Sequence, residues 1–225
     1  MDTTVAVSAK TQSFLTKVYS WMGLALFVTG VVSLVTVSSP SLLHLIFTNR
    51  LVFYGLLIGE LVLVIYLSVA INKISSSMAT FFFLLYSVVN GLSLSVIFLA
   101  FTFQSIATAF FVTSLTFVAM AIYGYTTKRD LTTVGSIALM GLVGIILSGV
   151  VNLFLNNNTL DLVTSAIGIL VFVGLIAYDS QRLKQMSASS DPESYSKAAI
   201  MGALILYLDF INLFLKILRF TGKRR

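Results

Sequence analysis

Two acidic side chains interrupt the apolar stretches near the end of this chain. Asp209 lies inside the apolar run Ala203–Leu215, and Asp179 ends the apolar run before it. Placing a carboxylate at bilayer depth costs about 2.5–3.5 kcal/mol on insertion scales, so acids in such places are typical of ion or proton sites. We therefore expect Asp179 and Asp209 to form a buried pair whose protonation controls a pathway.

The distance between the two carboxyl groups determines how the expected pair ionises. Within hydrogen-bonding distance both cannot ionise cheaply, and the pair then titrates as a unit. Calcium could bind the same oxygens transiently, in competition with the proton. One alternative stays open for Asp179, because Arg182 lies three residues on and could form a simple salt bridge with it at the membrane rim.

A polar stripe continues from Asp209 along the predicted last helix. Asp209, Asn212, Lys216 and Arg219 share one helical face. Lipid cannot satisfy such a face, so it should point into a helix bundle or a wet cavity. The alternative is that the stripe only holds helices together, but interhelical polar contacts average about 0.6 kcal/mol, less than a central carboxylate costs.

Glu60 is a third acid, centred in the apolar run Leu51–Tyr66. Its mid-span position makes it a candidate for the same pathway, together with Asp209 and Asn212. The alternative is a protonated carboxyl group hydrogen-bonded to a neighbouring helix. Carboxylate and amide oxygens are hard ligands, which suit calcium or protons rather than soft metals. We expect no cofactor.

Composition indicates an integral membrane protein. Of the 225 residues 58% are hydrophobic and 10% charged, whereas soluble domains are roughly half apolar and a quarter charged. The absence of cysteine excludes disulfides and thiolate sites, and the lone His44 cannot build a metal site. The net charge of +6 is spread over short loops and the tail, a distribution that orients membrane proteins. We expect no nucleic-acid partner.

Seven stretches have the length of about 20 apolar residues that a bilayer requires. They cover roughly residues 18–38, 51–71, 79–102, 106–126, 131–155, 160–178 and 199–218. The sequence thus predicts an all-α, polytopic bundle of seven transmembrane helices, with residues 1–17 as a polar N-terminal tail and 18–225 as one domain. The motifs Ser39-Pro40-Ser41 and Asn156-Asn157-Asn158 predict turns. Asp191-Pro192-Glu193 predicts an early start of the last helix, with Asp191 as its N-cap.

Lysine and arginine counts predict a cytoplasmic N-terminus. With that orientation and seven spans, the inside carries Lys10, Lys17, Lys73, Lys128, Arg129, Arg182, Lys184 and Lys197. Before the last helix, the outside carries only Arg50. The basic tail would then lie outside, against the trend, so the alternative of six spans and a re-entrant last segment stays open. We favour seven spans.

Soluble-enzyme signatures are absent: the chain contains no Gly-x-Ser-x-Gly, His-Glu-x-x-His or Gly-x-Gly-x-x-Gly motif. A remote alternative is an intramembrane aspartyl protease, whose first aspartate occurs as Tyr-Asp, like Tyr178-Asp179. Its second occurs as Gly-x-Gly-Asp, and Leu206-Tyr207-Leu208-Asp209 has no glycine. Its Pro-Ala-Leu motif is missing too, since the only prolines are Pro40 and Pro192. We expect a protein that is not an enzyme.

The chain resembles the bacterial branch of the Bax inhibitor motif-containing (TMBIM) membrane proteins over nearly its whole length. The most specific segments run from Leu206 to Phe214, with Leu218-Arg219-Phe220 after them, and from Ile176 to Gln181. Glu60 in the second span and Tyr86-x-x-x-Asn90-Gly91-Leu92 in the third are also similar to that family.

The resemblance implies a seven-helix bundle with the last helix at its centre and a pH-sensitive calcium leak across a cell (inner) membrane. It implies that Asp179 and Asp209 share a proton as the pH sensor, and that Glu60 lines the pore. Some bacterial relatives instead modulate a membrane-bound ATP-dependent protease, so a regulator that binds such a partner is the alternative function, with residues 1–17 as a docking segment.

One position departs from the family pattern. Family members with calcium leak carry an arginine about eleven residues after the glutamate, which latches the aspartate on the sixth span. Here that position is Ile71. A closed-state latch would therefore use Arg182 or Lys73, or would be missing.

Overall fold

A computed structural model describes the backbone of residues 2–186 and 191–225 and the side chains of residues 10–186 and 191–225. Within these residues the chain forms nine α-helices. Their bounds are α1 Asp2–Ser38, α2 Pro40–Thr48, α3 Arg50–Ala70, α4 Ser76–Leu94, α5 Ile97–Ala100, α6 Phe103–Thr126, α7 Thr132–Leu155, α8 Asn158–Met186 and α9 Pro192–Thr221. A helix satisfies all of its interior backbone hydrogen bonds within itself, which a segment in lipid must do.

Seven helical segments in the described part of the chain are long and apolar enough to cross a membrane. They are Lys10–Ser38, Arg50–Ala70, Ser76–Ala100, Phe103–Thr126, Thr132–Leu155, Asn158–Met186 and Pro192–Thr221. Each contains one of the predicted stretches almost completely. The all-α, seven-helix prediction is therefore confirmed.

The last span is far more buried than the others. In its most apolar window 67% of the residues are buried, against 6% to 44% in the other six. A transmembrane helix surrounded by lipid would expose its apolar side chains, so α9 is enclosed by protein along most of its length. This burial agrees with the inner position predicted for the last helix.

Short polar side chains define several helix ends. Asp191 caps α9, since its Oδ2 accepts a hydrogen bond from the Ser194 backbone N–H at 2.8 Å. That cap was predicted, and it is confirmed. Asn156 ends α7 in the left-handed conformation, with a φ of 47°, which asparagine adopts more readily than most residues. Asn157 then accepts hydrogen bonds from the first backbone N–H groups of α8.

Two boundaries differ from their predictions. Ser39-Pro40-Ser41 is not a simple turn, because Pro40 is the first residue of α2, where its missing N–H costs nothing. The third span, predicted at about residues 79–102, is confirmed as Ser76–Ala100, and within it α4 ends at Leu94 and α5 begins at Ile97. In addition, α8 continues past Asp179 to Met186, so the acid lies inside a helix rather than at its end.

The chain divides into two compact units. The first comprises Met1–Ala100 and Met186–Tyr207, and the second comprises Phe101–Gln185 and Leu208–Arg225. The helix α9 therefore contributes its first part to one unit and its second part to the other.

In the first unit, α1 packs closely against α4. The Thr29 hydroxyl donates to the Ser87 carbonyl at 2.9 Å, and the Ser33 hydroxyl donates to the Gly91 carbonyl at 2.7 Å. Gly91 permits this approach, because a Cβ there would lie 2.8 Å from the Thr29 carbonyl oxygen. Hydroxyls that donate to the backbone of a neighbouring helix are one of the ways in which membrane helices associate without water.

The start of α9 is attached to the first unit at several points. Glu193 accepts hydrogen bonds from the backbone N–H and the hydroxyl of Ser76, at the beginning of α4. Lys17 of α1 donates to the Ser196 hydroxyl at 2.9 Å. The rings of Phe14 and Tyr195 meet edge to face, with centroids 5.4 Å apart, so the segment proposed as a tail packs through its last residues against α9.

In the second unit, α6 and α8 pack against the later part of α9, and α7 packs against α8. Phe210 of α9 contacts the rings of Phe110 and Phe117 of α6, with centroid distances of 5.5 and 5.6 Å. These aromatic contacts bury the face of α9 that carries Phe210. They fix the position of the neighbouring Asp209 within this unit.

Candidate functional site

The two predicted aspartates meet in the second unit. Asp179 of α8 and Asp209 of α9 are buried, with 8% and 6% of their surfaces exposed. A side-chain hydrogen bond joins their carboxyl groups. Ionised carboxylates only accept hydrogen bonds, so one member of the pair must carry the proton that it donates. Among the described residues, Oδ2 of Asp209 has no hydrogen-bond partner.

Close backbone packing fixes the part of α8 that carries Asp179. A Cβ at Gly124 of α6 would overlap the backbone carbonyl of Ala177, and one at Gly135 of α7 would lie 2.5 Å from the ring of Tyr178. The two residues before Asp179 are thus pressed against two neighbouring helices. The carboxyl group of Asp179 consequently has little freedom to move away from its position.

Gln181 holds the same segment through the loop between α6 and α7. Its Oε1 accepts from the Leu131 N–H at 2.9 Å, and its Nε2 donates to the Arg129 carbonyl at 2.8 Å. In this loop the side chain and backbone N–H of Thr132 hydrogen-bond to Asp130 and lower its pKa. Gln181 was not predicted as a site residue, although it ends the family-specific segment that begins at Ile176 and lies two residues after Asp179.

The two candidate latch residues occupy different places. Arg182 is exposed, yet its charge acts on the carboxyl group of Asp179. Lys73 lies in the first unit, exposed in the turn that follows α3. The structure thus places Arg182 beside the aspartate pair. This proximity also fits the alternative of a rim salt bridge, although no direct ion pair joins Arg182 to Asp179 within the described residues.

The polar stripe of α9 lies along α8. The aliphatic part of Lys216 covers Gly168, where a Cβ would be 2.9 Å from the lysine Cδ. Arg219 forms an ion pair with Asp161. Asn212, by contrast, donates to the Leu208 carbonyl of its own helix at 2.8 Å. The stripe therefore does hold two helices together at one end, while its Asp209 end forms the acid pair.

Glu60 lies in the first unit, half-buried on α3, with a buried chain of polar groups beside it. Its Oε2 accepts from Nδ2 of Asn90 on α4 at 3.4 Å. Oδ1 of Asn90 accepts from the Tyr207 hydroxyl of α9 at 3.0 Å. The Tyr207 hydroxyl is also 2.6 Å from that of Thr29 on α1. Among the described residues Oε1 of Glu60 makes no hydrogen bond of ordinary geometry, although the Ser93 hydroxyl of α4 acts on the same carboxyl group.

Tyr207 and Thr29 were not recognised as site residues from the sequence. A tyrosine in an apolar helix is ordinary, and threonines often bond to their own helix. Only the register of four helices brings these hydroxyls and Asn90 together with Glu60.

The described residues contain no group of three or more His, Cys, Asp or Glu side chains that could hold a metal ion. The pair of Asp179 and Asp209 supplies two carboxyl groups, while calcium takes six to eight oxygen ligands. A tight, permanent calcium site would need further ligands from water or backbone carbonyls.

Comparison with known proteins gives a consistent assignment. The family model described as "Inhibitor of apoptosis-promoting Bax1" matches residues 11–225. The chain is 46% identical to the "Inner membrane protein YbhL" of Escherichia coli K12, covering all of this chain and 97% of the relative. It is 42% identical to an uncharacterised protein of Borreliella burgdorferi, covering 94% and 92%. It is 34% identical to an uncharacterised membrane protein of Streptococcus pyogenes, covering 93% and 92%.

Three findings thus agree: seven segments able to span a membrane, a family match over almost the whole chain, and a relative whose name places it in the inner membrane. The chain belongs to the Bax inhibitor family of membrane proteins.

Proposed function

We propose that the protein is a pH-sensitive calcium leak channel of the inner membrane, without enzymatic activity, and that Asp179 and Asp209 form its gate. The proposal rests above all on the hydrogen bond between these two buried carboxyl groups. Two acids at bilayer depth are costly. A pair that needs a shared proton to stay together can change its structure when that proton leaves.

The gate works through α8 and α9. While one proton bridges the pair, the two helices are held together at Asp179 and Asp209. Loss of the proton replaces a hydrogen bond by the repulsion between two carboxylates in a poorly solvated place. The later part of α9 then loosens from α8. Higher pH therefore favours the open form.

Calcium is the proposed ion because the pathway side chains offer oxygen ligands. Glu60 in the first unit and Asp209 and Asn212 in the second are the candidate pathway residues, and calcium competes with the proton for the aspartate pair. Arg182 acts as the closed-state latch, since its charge already lies near Asp179. Lys73 is the weaker candidate, because it lies on an exposed turn.

Calcium flux into liposomes that contain the purified protein tests the proposal. Between about pH 6 and about pH 8, we expect wild-type flux to rise with pH and the Asp209→Asn protein to lose this dependence. The matched control is Asp130→Asn, which removes an exposed acid of the loop between α6 and α7, keeps an acceptor oxygen for Thr132, and should keep the wild-type profile. An Asp209→Asn protein that also keeps it would overturn the gate.

Wild-type protein that carries no calcium at any pH would overturn the channel itself. Binding of a membrane-bound protease would then be the remaining function. Recovery of such a partner by crosslinking, lost after deletion of residues 1–17, would establish it.

A further inference from the structure

The chain of polar groups between Glu60 and α1 contains more contacts than its hydroxyl protons can fill. The Thr29 oxygen contacts the Ser87 carbonyl at 2.9 Å and the Tyr207 hydroxyl at 2.6 Å, and the Tyr207 oxygen contacts Asn90 Oδ1 at 3.0 Å. Each hydroxyl has a single proton to donate. The hydroxyls of Thr29 and Tyr207 therefore have two protons for these three contacts, so one contact has no proton and is not a hydrogen bond.

An ionised Glu60 keeps the chain in this incomplete form. A carboxylate requires a donor, so Nδ2 of Asn90 must face Glu60 and Oδ1 must face Tyr207. Tyr207 then donates to Asn90, and Thr29 has one proton for either Tyr207 or the Ser87 carbonyl. Counting from Glu60 to Ser87, three of the four contacts hold a proton.

A protonated Glu60 completes the chain. Oxygen and nitrogen of an asparagine side chain exchange places when the amide turns by half a rotation. The carboxyl group can then donate to Asn90 Oδ1, Asn90 Nδ2 to the Tyr207 oxygen, Tyr207 to Thr29, and Thr29 to the Ser87 carbonyl. All four contacts now hold a proton, and every donor points in the same direction along the chain.

We propose that Glu60 is a second proton-binding group of this protein, joined to the last helix by a directional hydrogen-bond chain through Asn90, Tyr207 and Thr29 that is complete only when Glu60 is protonated. Loss of its proton turns the Asn90 amide and breaks one bond of the chain. The hold of α1 and α4 on Tyr207 weakens as a result.

The surroundings of Glu60 leave this assignment intact. Its titratable neighbours are Tyr86 of α4 and Tyr207 of α9, and phenols remain neutral at physiological pH. His44, the titratable residue of the adjacent helix α2, is exposed, as is Lys73 after α3. Thr29, Asn90 and Tyr207 are buried, with 4%, 6% and 0% of their surfaces exposed, so water does not readily replace a missing bond.

The inference adds a second proton site to the proposed function, but its test uses no ion flux. A failure of the calcium proposal would therefore leave the test valid. Stability is measured by titration with a denaturing detergent over a range of pH, in an Asp179→Asn, Asp209→Asn background where the aspartate pair cannot titrate. Glu60→Gln serves as the permanently neutral form, because its amide can donate to Asn90.

We expect the stability of the Glu60→Gln protein to equal that of its parent at acidic pH and to exceed it at alkaline pH. Two terms contribute to the alkaline difference: the cost of burying the charge, and the missing bond of the chain. Thr29→Val keeps the side-chain shape but removes the two contacts of the Thr29 hydroxyl. The two remaining contacts hold a proton whether Glu60 is protonated or ionised, so the missing bond no longer contributes to the difference. One ordinary hydrogen bond corresponds to roughly a threefold to tenfold change in the unfolding equilibrium constant.

The decisive result is thus a pH-dependent difference in the unfolding equilibrium constant between Glu60→Gln and its parent. In the Thr29→Val background this difference should be smaller by the factor that one hydrogen bond contributes. Tyr207→Phe should shrink it equally, and gives a second route if either variant folds poorly. Ser33→Ala is the matched control, since Ser33 makes the same kind of bond from α1 to α4 outside the chain. It should leave the difference unchanged.

Two results would overturn the inference. One is a difference between Glu60→Gln and its parent that does not vary with pH. The other is a pH-dependent difference that stays the same in both the Thr29→Val and the Tyr207→Phe backgrounds.

Discussion

Nη1 of Arg219, on α9, donates a hydrogen bond to Oδ1 of Asp161, on α8, across 3.2 Å. Arg224 reaches the other oxygen of the same carboxylate, with Nη2 3.6 Å from Oδ2. One acid near the start of α8 thus pairs with two bases of the C-terminal segment. The charge of Asp161 also acts on Lys216, so it offsets three like charges.

Removing this acid should loosen the end of α9. We expect Asp161→Asn to lower the free energy of unfolding by about 0.5–1 kcal/mol, because the ion pairs are partly exposed. The loss should decrease at high salt, which screens such pairs. Detergent titrations at two salt concentrations measure it. The double substitution Asp161→Arg with Arg219→Asp exchanges the two charges and should be more stable than the Asp161→Arg protein alone. A double variant that is no more stable than that single variant would contradict the pairing.

Substitution of Gly124 should be among the most damaging single changes in the second unit. An alanine Cβ there would overlap the Ala177 carbonyl, and backbone can yield only by moving the helix. We expect Gly124→Ala to cost about 1–3 kcal/mol of folding free energy and to disturb the Asp179 segment. Gly144→Ala is the control, since open space surrounds that position on α7; alanine there should leave stability unchanged or slightly raised.

The two hydrogen bonds that form the Gln181 clamp on the loop between α6 and α7 predict a loss of stability on substitution of Gln181 but not of Gln185. Gln181→Ala leaves the buried Leu131 N–H without its acceptor, and we expect a cost of about 1–3 kcal/mol. Gln185→Ala, on an exposed position of the same helix, should stay within about 0.5 kcal/mol of the wild type. Equal effects of the two substitutions in a thermal unfolding assay would argue against the clamp.

The cap of α9 should depend on pH. Hydrogen bonds from the side chain and backbone N–H of Ser194 lower the pKa of Asp191 below 3.8. Because folding favours the ionised form, its contribution is present above the unfolded pKa and is lost as the pH falls through the folded one. The difference in melting temperature between wild type and Asp191→Ala should therefore shrink with acidification. Asp191→Asn keeps an acceptor oxygen, so its advantage over alanine should not vary with pH.

Seven spans place the two chain ends on opposite faces of the membrane. With the N-terminus in the cytoplasm, as the distribution of basic residues predicts, a reporter fused after Arg225 should be active outside. A reporter placed after Arg129, in the loop between α6 and α7, should be active inside. Activity of both reporters on the same side would favour six spans and a re-entrant last segment.

The sequence predicted the helices well and the polar contacts between them only in part. Apolar runs of spanning length are explicit in the chain, and so is a cap such as Asp191 before Pro192. The pair of Asp179 and Asp209 was also predictable, because acids inside apolar runs are costly wherever they lie.

Other contacts depend on helix register, which composition does not encode. The link from Glu60 to Tyr207 needs α3, α4 and α9 to present three side chains at one depth. Gln181 is similar, because its partners are backbone groups of a loop and leave no mark in the side-chain sequence. The end of α8 was misplaced because apolarity stops at Asp179, whereas the helix continues to Met186.

The attachments of Glu193, Tyr195 and Ser196 to α1 and α4 determine how the last helix can move. The other end of α9 is held as well, because Arg219 pairs with Asp161 of α8. In the proposed gate, opening at Asp209 would therefore bend or twist α9 between two fixed ends, without a shift of its first turn. The displacement should be largest near Asp209 and smaller toward Pro192 and Thr221, and spin labels spaced along α9 would record that maximum.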